Sequence, residues 1–205
     1  MDDSDIFRIE VATGKTEKLL EHPEKQIFTV ADVSRLGRTL LVISNAMGGS
    51  DNVALLDSKT KKLEWLRHTP WSVSGGAFTP DGRSVMYVLD VDSRISTRFL
   101  DLKTMQESER GLPPGMNEPA VTSRPFLPDG ILLLLHQDSS HPQELHALAK
   151  DAKFTQSTHN ANETLQNEAL PKSQLLTYTS FDGRLISAFA WVPFNLKELV
   201  PLRLW

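Results

Sequence analysis

The chain has 205 residues, of which 40% are hydrophobic and 23% are charged, an ordinary globular balance that can bury a core. Its formal net charge of −4 gives no electrostatic basis for binding nucleic acid or an anionic membrane, so we expect neither as a partner. The absence of cysteine excludes a disulfide framework and thiolate metal ligands.

No segment has the features of an export signal or a membrane helix. The N-terminus, MDDSDIFRIE, has neither a basic region nor an apolar core. The longest strongly apolar runs, such as ILLLL at 131–135, are far shorter than the roughly 20 residues that cross a bilayer. We therefore expect a soluble protein, and the sequence leaves its cellular compartment open.

The first predicted element is a hairpin at 5–23, DIFRIEVATGKTEKLLEHP, with a strand, a polar turn and a more polar strand. The same outline returns further along the chain, in segments 51–70 and 96–114 and, more weakly, 143–159. Asp57 and Asp101 end the first strands of the second and third hairpins, and we expect both to cap turns.

A second marker recurs in the same frame, a glycine turn followed by an apolar run. It reads VSRLGRTLLVIS at 33–44, FTPDGRSVMYVL at 78–89 and FLPDGILLLLHQ at 126–137. Asp-Gly supplies the positive φ of a tight hairpin turn, and each apolar run that follows suits a strand covered on both faces. Two markers with one period of about 46 residues indicate a structural repeat.

Each repeat therefore contains four antiparallel strands, which is typical of a β-propeller blade. The chain opens with the last two strands of a blade at 5–21, and fuller blades follow at about 26–68, 73–110 and 121–158. The predicted fold class is all-β, with residues 1–160 forming a partial propeller of about three four-stranded blades plus half a blade. Because such an arc leaves its end faces uncovered, we expect self-association through the open propeller edges.

The C-terminal part has a different pattern. A polar stretch covers 158–173, and two longer strands surround Asp182-Gly183 within 175–197. We assign 161–174 as a linker and 175–205 as a separate unit that starts with this β-hairpin.

Strand, FDG, strand, then an aromatic residue and VPFN at 192–195 resembles the junction between propeller and α/β-hydrolase domain in prolyl oligopeptidase family serine peptidases. The similarity is greatest to the dipeptidyl and acylaminoacyl peptidase-like branch, and it covers nearly the whole chain. It implies that 175–205 begins a truncated hydrolase domain. It also implies that the complete protein cleaves short peptides with a Ser-His-Asp site, to which the propeller restricts access.

The chain lacks the catalytic motifs of that family. No HGGP oxyanion loop and no G-x-S-x-G nucleophile elbow occurs in it, and WSVSGG at 71–76 has Trp71 where the first glycine of an elbow should be. We therefore predict no catalytic residue, no cofactor and no metal site, and an inactive chain on its own. The alternatives are a stand-alone propeller that binds proteins or ligands, and a non-functional gene remnant.

Other polar and aromatic residues have structural interpretations. His136, His141 and His146 recur at intervals of five but fall on a strand, a loop and another strand, so we interpret them as hairpin residues rather than metal ligands. His22 and His68 occupy equivalent blade positions and are predicted to be structural. The following residues are assigned to blade packing or turn formation rather than to a site: Trp65, Trp71, Trp191, Ser180 and Asp182.

Overall fold

A computed structural model describes residues 3–23, 25–92, 94–121, 124–160 and 173–191. These residues form sixteen antiparallel strands in five sheets and contain no helix. Among them there is accordingly no helix long and apolar enough to cross a membrane.

Three sheets have four strands each, and in every one the strands are neighbours in chain order. Blade 1 consists of β3 (Phe28–Val33), β4 (Thr39–Ser44), β5 (Asn52–Asp57) and β6 (Leu63–Trp65). Blade 2 consists of β7 (Val73–Phe78), β8 (Ser84–Val91), β9 (Arg94–Asp101) and β10 (Glu107–Ser108). Blade 3 consists of β11 (Met116–Pro119), β12 (Leu132–Gln137), β13 (Glu144–Leu148) and β14 (Phe154–Gln156).

Two smaller sheets flank the blades in the chain. The half-blade pairs β1 (Phe7–Ile9) with β2 (Thr16–Lys18), and the C-terminal hairpin pairs β15 (Ser173–Thr179) with β16 (Leu185–Trp191). The predicted fold class, an all-β partial propeller of three blades and a half, is confirmed. The VPFN segment and most of the predicted linker lie outside the described residues.

One turn geometry is used four times. Gly37, Gly82, Gly130 and Gly183 all have positive φ, between 67° and 89°, and each donates its N–H to the carbonyl three residues earlier. Glycine is favoured at this position because the backbone conformation strains residues that carry a Cβ. The degenerate first copy of the marker, the two Pro-Asp-Gly copies and the hairpin turn are therefore structurally equivalent.

The third blade begins earlier than predicted. Its first strand, β11, starts at Met116 rather than near 121, and its pairing with β12 ends at Pro119 opposite Leu134. Pro125 and Pro128 have no N–H to donate to a strand ladder, so the segment before the glycine turn makes only an isolated bridge between Phe126 and Leu132.

Consecutive sheets pack face to face through three apolar cores. Between the half-blade and blade 1 the buried side chains are Ile6, Leu19, Leu20, Phe28, Leu40, Val42 and Leu56. Between blades 1 and 2 they include Leu41, Val53, Val73, Val85, Tyr87 and Leu100. Between blades 2 and 3 they include Met86, Val88, Phe99, Leu132, Leu134 and Leu148. Since each buried aliphatic side chain contributes about 1.5–3 kcal/mol, these interfaces hold the arc together.

The two ends of the arc are less well covered. In β12 the buried Leu132 and Leu134 face blade 2, whereas Leu133 and Leu135 on the other face are only half-buried, because no described sheet packs there. At the opposite end, Phe7 of β1 is exposed. The predicted doubly covered strands are thus confirmed in blades 1 and 2 and not in blade 3.

Candidate functional site

Three loops converge on one rim of the arc. In a meander of antiparallel strands, successive connections alternate between the two ends of the sheet. The glycine turns, which follow the first strand of each blade, therefore lie at one end. The connections that follow the second and the fourth strand lie at the other end. That second rim carries the β8–β9 turn at Asp92, the β10–β11 link ending at Gly115, and the β12–β13 loop from Asp138 to His141. A Cβ on Gly115 would lie 2.6 Å from the Gln137 carbonyl, so glycine lets this link approach β12 closely.

The C-terminal hairpin is attached to this rim by two hydrogen bonds. The Ser187 hydroxyl donates to the Asp92 carboxylate at 3.1 Å, and the Ser173 backbone N–H donates to the Ser139 hydroxyl at 2.9 Å. Asp92 belongs to blade 2 and Ser139 to blade 3, so the hairpin bridges two consecutive blades. A cleft remains between the hairpin and the rim.

We call this space the rim cleft. Its volume is about 610 Å³, which is within the size range of small-molecule sites. Its lining includes Arg94, Pro114, Asp138, His141, Phe189 and Trp191. The hairpin contributes the aromatic side, where the rings of Phe189 and Trp191 are tilted by 42° with centroids 6.2 Å apart. A second cavity of about 250 Å³ also has Arg94 and Pro114 in its lining.

Arg94 is the cationic group of the rim cleft. It is exposed, and its guanidinium carbon lies 5.8 Å from the centroid of the Phe189 ring, within range of a cation–π contact. No carboxylate of the described residues lies within ion-pair distance of it, whereas Arg98 in the same strand and Arg67 just after β6 both contact Glu107.

Asp138 and His141 form a hydrogen-bonded pair on the propeller side of the rim cleft. The Nδ1 atom of His141 lies 2.9 Å from Oδ1 of Asp138, and that oxygen also accepts the N–H groups of Ser140 and His141. Burial raises the pKa of Asp138, but these hydrogen bonds outweigh it and hold the pKa below its ordinary value. The Nε2 atom of His141 contacts no hydroxyl of the described residues, so the pair forms no Ser-His-Asp triad with any of them.

A buried aromatic cluster supports the rim from inside blade 3. His136 and His146 pack edge to face at 5.3 Å, and His146 stacks on Phe154 at 4.5 Å. The Asn117 Oδ1 atom can only accept, so the Nδ1–H of His136 donates to it, at 2.9 Å. Burial lowers the pKa of His136, and the nearby His146 lowers it further.

The structure therefore separates the three histidines that sequence spacing suggested as a set. His136 and His146 share the buried cluster, while His141 is exposed on the loop. The part of the chain that the structure describes contains no group of three or more histidine and carboxylate side chains suited to a metal. His22 is bonded to the Ser4 and Pro23 carbonyls, which confirms a structural role, whereas His68 is exposed.

Asp57 and Asp101 cap turns, as predicted. Oδ1 of Asp57 accepts the backbone N–H groups of Lys59 and Thr60, and Oδ1 of Asp101 accepts the two equivalent N–H groups after it. Asp182 likewise accepts the N–H of Arg184 in the hairpin turn. These carboxylates are structural.

The tryptophan prediction is confirmed in part. Trp65 is half-buried in blade 1, but Trp71 and Trp191 are exposed, and Trp191 lines the rim cleft instead of packing in a blade. Sequence reasoning also missed Arg94, because nothing in its local sequence distinguishes it from paired arginines. Its isolation from carboxylates is visible only after the blades and hairpin are assembled.

The sequence matches no protein-family model and no curated protein, whereas its fold matches many solved structures. It is similar to acylaminoacyl peptidase from Pyrococcus horikoshii, with 18% identity and a TM-score of 0.64 over 91% of this chain and 27% of that one. It is also similar to dipeptidyl peptidase 4 from Porphyromonas gingivalis, with 14% identity and a TM-score of 0.72 over 95% of this chain and 28% of that one.

TolB from Acinetobacter baumannii is a further match, with 16% identity and a TM-score of 0.58 over 90% of this chain and 48% of that one. The chain thus spans less than half the length of these structural relatives. The resemblance to prolyl oligopeptidase family peptidases is confirmed at the level of the fold, since the matched peptidase structures include members of that family.

Proposed function

We propose that the chain is the non-catalytic propeller portion of a serine peptidase that acts on short peptides, and that in the complete enzyme it limits access to the Ser-His-Asp site. One observation carries the proposal. The peptidase matches cover 86–95% of this chain but only 27–28% of the peptidases, as expected if the chain corresponds to one part of a larger enzyme.

The sequence supports the non-catalytic part of the proposal. It contains neither the nucleophile elbow nor the oxyanion loop of this family, and the Asp138–His141 pair has no hydroxyl partner among the described residues. Without a positioned nucleophile and oxyanion donors, the acyl-transfer step has neither its attacking group nor its electrostatic stabilisation.

The position of the rim cleft supports the gating part of the proposal. The hairpin that precedes the hydrolase domain in the resembled family here lies against the loops of blades 2 and 3, attached to Asp92 and Ser139. A substrate approaching along this rim would have to fit between blade loops and hairpin, which selects short chains over folded proteins.

Two measurements test the proposal. The DNA that follows codon 205 should encode an HGGP-type loop and a G-x-S-x-G elbow in a nearby frame; an unrelated intergenic stretch would contradict the peptidase assignment. The purified chain should neither react with a fluorophosphonate probe nor hydrolyse chromogenic dipeptide substrates, and hydrolysis by the chain alone would contradict the non-catalytic role.

The second candidate is a stand-alone propeller that binds a protein or a ligand. It is favoured by the matches to two structures named as TolB, of which this chain covers 48% and 66% and whose names do not describe a peptidase. An intergenic stretch after codon 205 would support this candidate.

A further inference from the structure

The rim cleft combines features that define a class of ligand. Its aromatic side comes from the hairpin, its polar loops come from blade 3, and Arg94 on blade 2 is a cation that has no carboxylate partner among the described residues. Small-molecule sites typically have this composition, an apolar lining with few convergent polar groups.

The electrostatics of the rim cleft are asymmetric. The carboxylate of Asp138 is hydrogen-bonded within its own loop, where Oδ1 accepts two backbone N–H groups and both oxygens lie near Nδ1 of His141. The guanidinium of Arg94, in contrast, forms no hydrogen bond or ion pair with any residue that the structure describes, and it lies 5.8 Å from the centroid of the Phe189 ring. A planar guanidinium with free N–H donors favours a carboxylate, which it can bind through two parallel hydrogen bonds.

The aromatic side adds a second requirement. Trp191 is 55% exposed beside Phe189, so an apolar side chain seated there would be removed from water. Because Arg94 lies against the same Phe189 ring, the anionic group and the apolar group of the ligand must be close to each other. A C-terminal amino acid with an apolar side chain has this arrangement.

We propose that the rim cleft binds the C-terminal residue of a short peptide, with its α-carboxylate on Arg94 and its apolar side chain against Phe189 and Trp191. The inference rests on the proposed function, which supplies short peptides as the ligand class. It adds that the free C-terminus, rather than the N-terminal amine, is the group recognised by this part of the molecule.

Calorimetric titration of the full chain with three probes tests the inference: Ala-Phe, N-acetyl-Ala-Phe and Ala-Phe amide. We expect the two acids to bind equally well and the amide to bind at least about tenfold more weakly, because the amide cannot form the charged hydrogen bonds with Arg94. Equal binding of acid and amide, loss of binding on acetylation, or no binding of any probe up to about 10 mM would overturn it.

Variants assign the effect to particular side chains. Arg94→Gln should weaken binding of the two acids about tenfold, to the affinity of the amide, and should leave the affinity for the amide unchanged. Arg94→Lys should retain part of the preference for the acids over the amide. Arg83→Gln is the matched control, because Arg83 is an exposed arginine beside the glycine turn at the other rim and should change nothing. Trp191→Ala should weaken acid and amide alike. Unchanged acid binding in Arg94→Gln would refute the assignment.

Failure of this inference and failure of the proposed function give different results. If peptidase sequence follows codon 205 but acid and amide bind equally, only the carboxylate assignment is wrong. If no peptidase sequence follows and the acid preference holds, the rim cleft is the ligand site of a stand-alone propeller. The wild-type comparison of acid with amide does not depend on any variant folding.

Discussion

Substitution of Gly76 by alanine should destabilise the contact between blades 1 and 2. Gly76 lies in β7, and a Cβ added there would lie 2.9 Å from Cδ2 of the fully buried Leu41 and 3.0 Å from the backbone oxygen of Met86. Neither neighbour can move freely, so overpacking should cost about 1–3 kcal/mol. Alanine is favoured over glycine within a strand by about 0.5–1 kcal/mol, so the net loss at the middle of both ranges is about 1 kcal/mol.

Gly75 provides the control in the same strand. A Cβ at Gly75 would meet nothing within 4 Å, so Gly75→Ala should be neutral or slightly stabilising. Thermal unfolding followed by circular dichroism should show a Tm lowered by about 2–4 °C for Gly76→Ala and no decrease for Gly75→Ala. Equal effects of the two substitutions, or an unchanged Tm for Gly76→Ala, would refute the close packing of these blades.

Three further predictions concern pH, turns and assembly. Burial lowers the pKa of His136, so the free energy of unfolding should be highest above the ordinary pKa of 6.5 and should fall as pH drops below 6.5. Urea unfolding at pH 5 and pH 7.5 should show a smaller difference in this free energy for His136→Gln than for the wild type. Equal differences in the two proteins would contradict the prediction. Backbone hydrogen bonds and Arg38 hold the pKa of Asp57 below its ordinary value of 3.8, so Asp57→Ala should lower the Tm at pH 7. The difference in Tm between this variant and the wild type should shrink as pH falls below 3.8. Size-exclusion chromatography should show self-association through the open ends, reduced by Phe7→Ser and Ile9→Ser; a cooperative wild-type monomer would count against it.

The sequence alone determined the repeated architecture, because the features that specify it are local. A glycine with positive φ can be inferred from four or five residues, as at Gly82 and Gly130, and so can the carboxylate caps at Asp57 and Asp101. Their common spacing then indicates four-stranded blades without knowledge of any long-range contact. The peptidase resemblance came from the same local markers together with the C-terminal hairpin.

Only the tertiary structure decided where the third blade begins and what the rim cleft contains. Met116 starts a strand because β12 is available to pair with it, and no local signal distinguishes it from the residues near 121. Likewise, Arg94 acquires its significance from Phe189, which is 95 residues away in the chain, and from the distance to every described carboxylate. Local sequence sets backbone turns and strand periodicity, whereas contacts between distant segments form only when whole sheets pack, and the candidate site consists of such contacts.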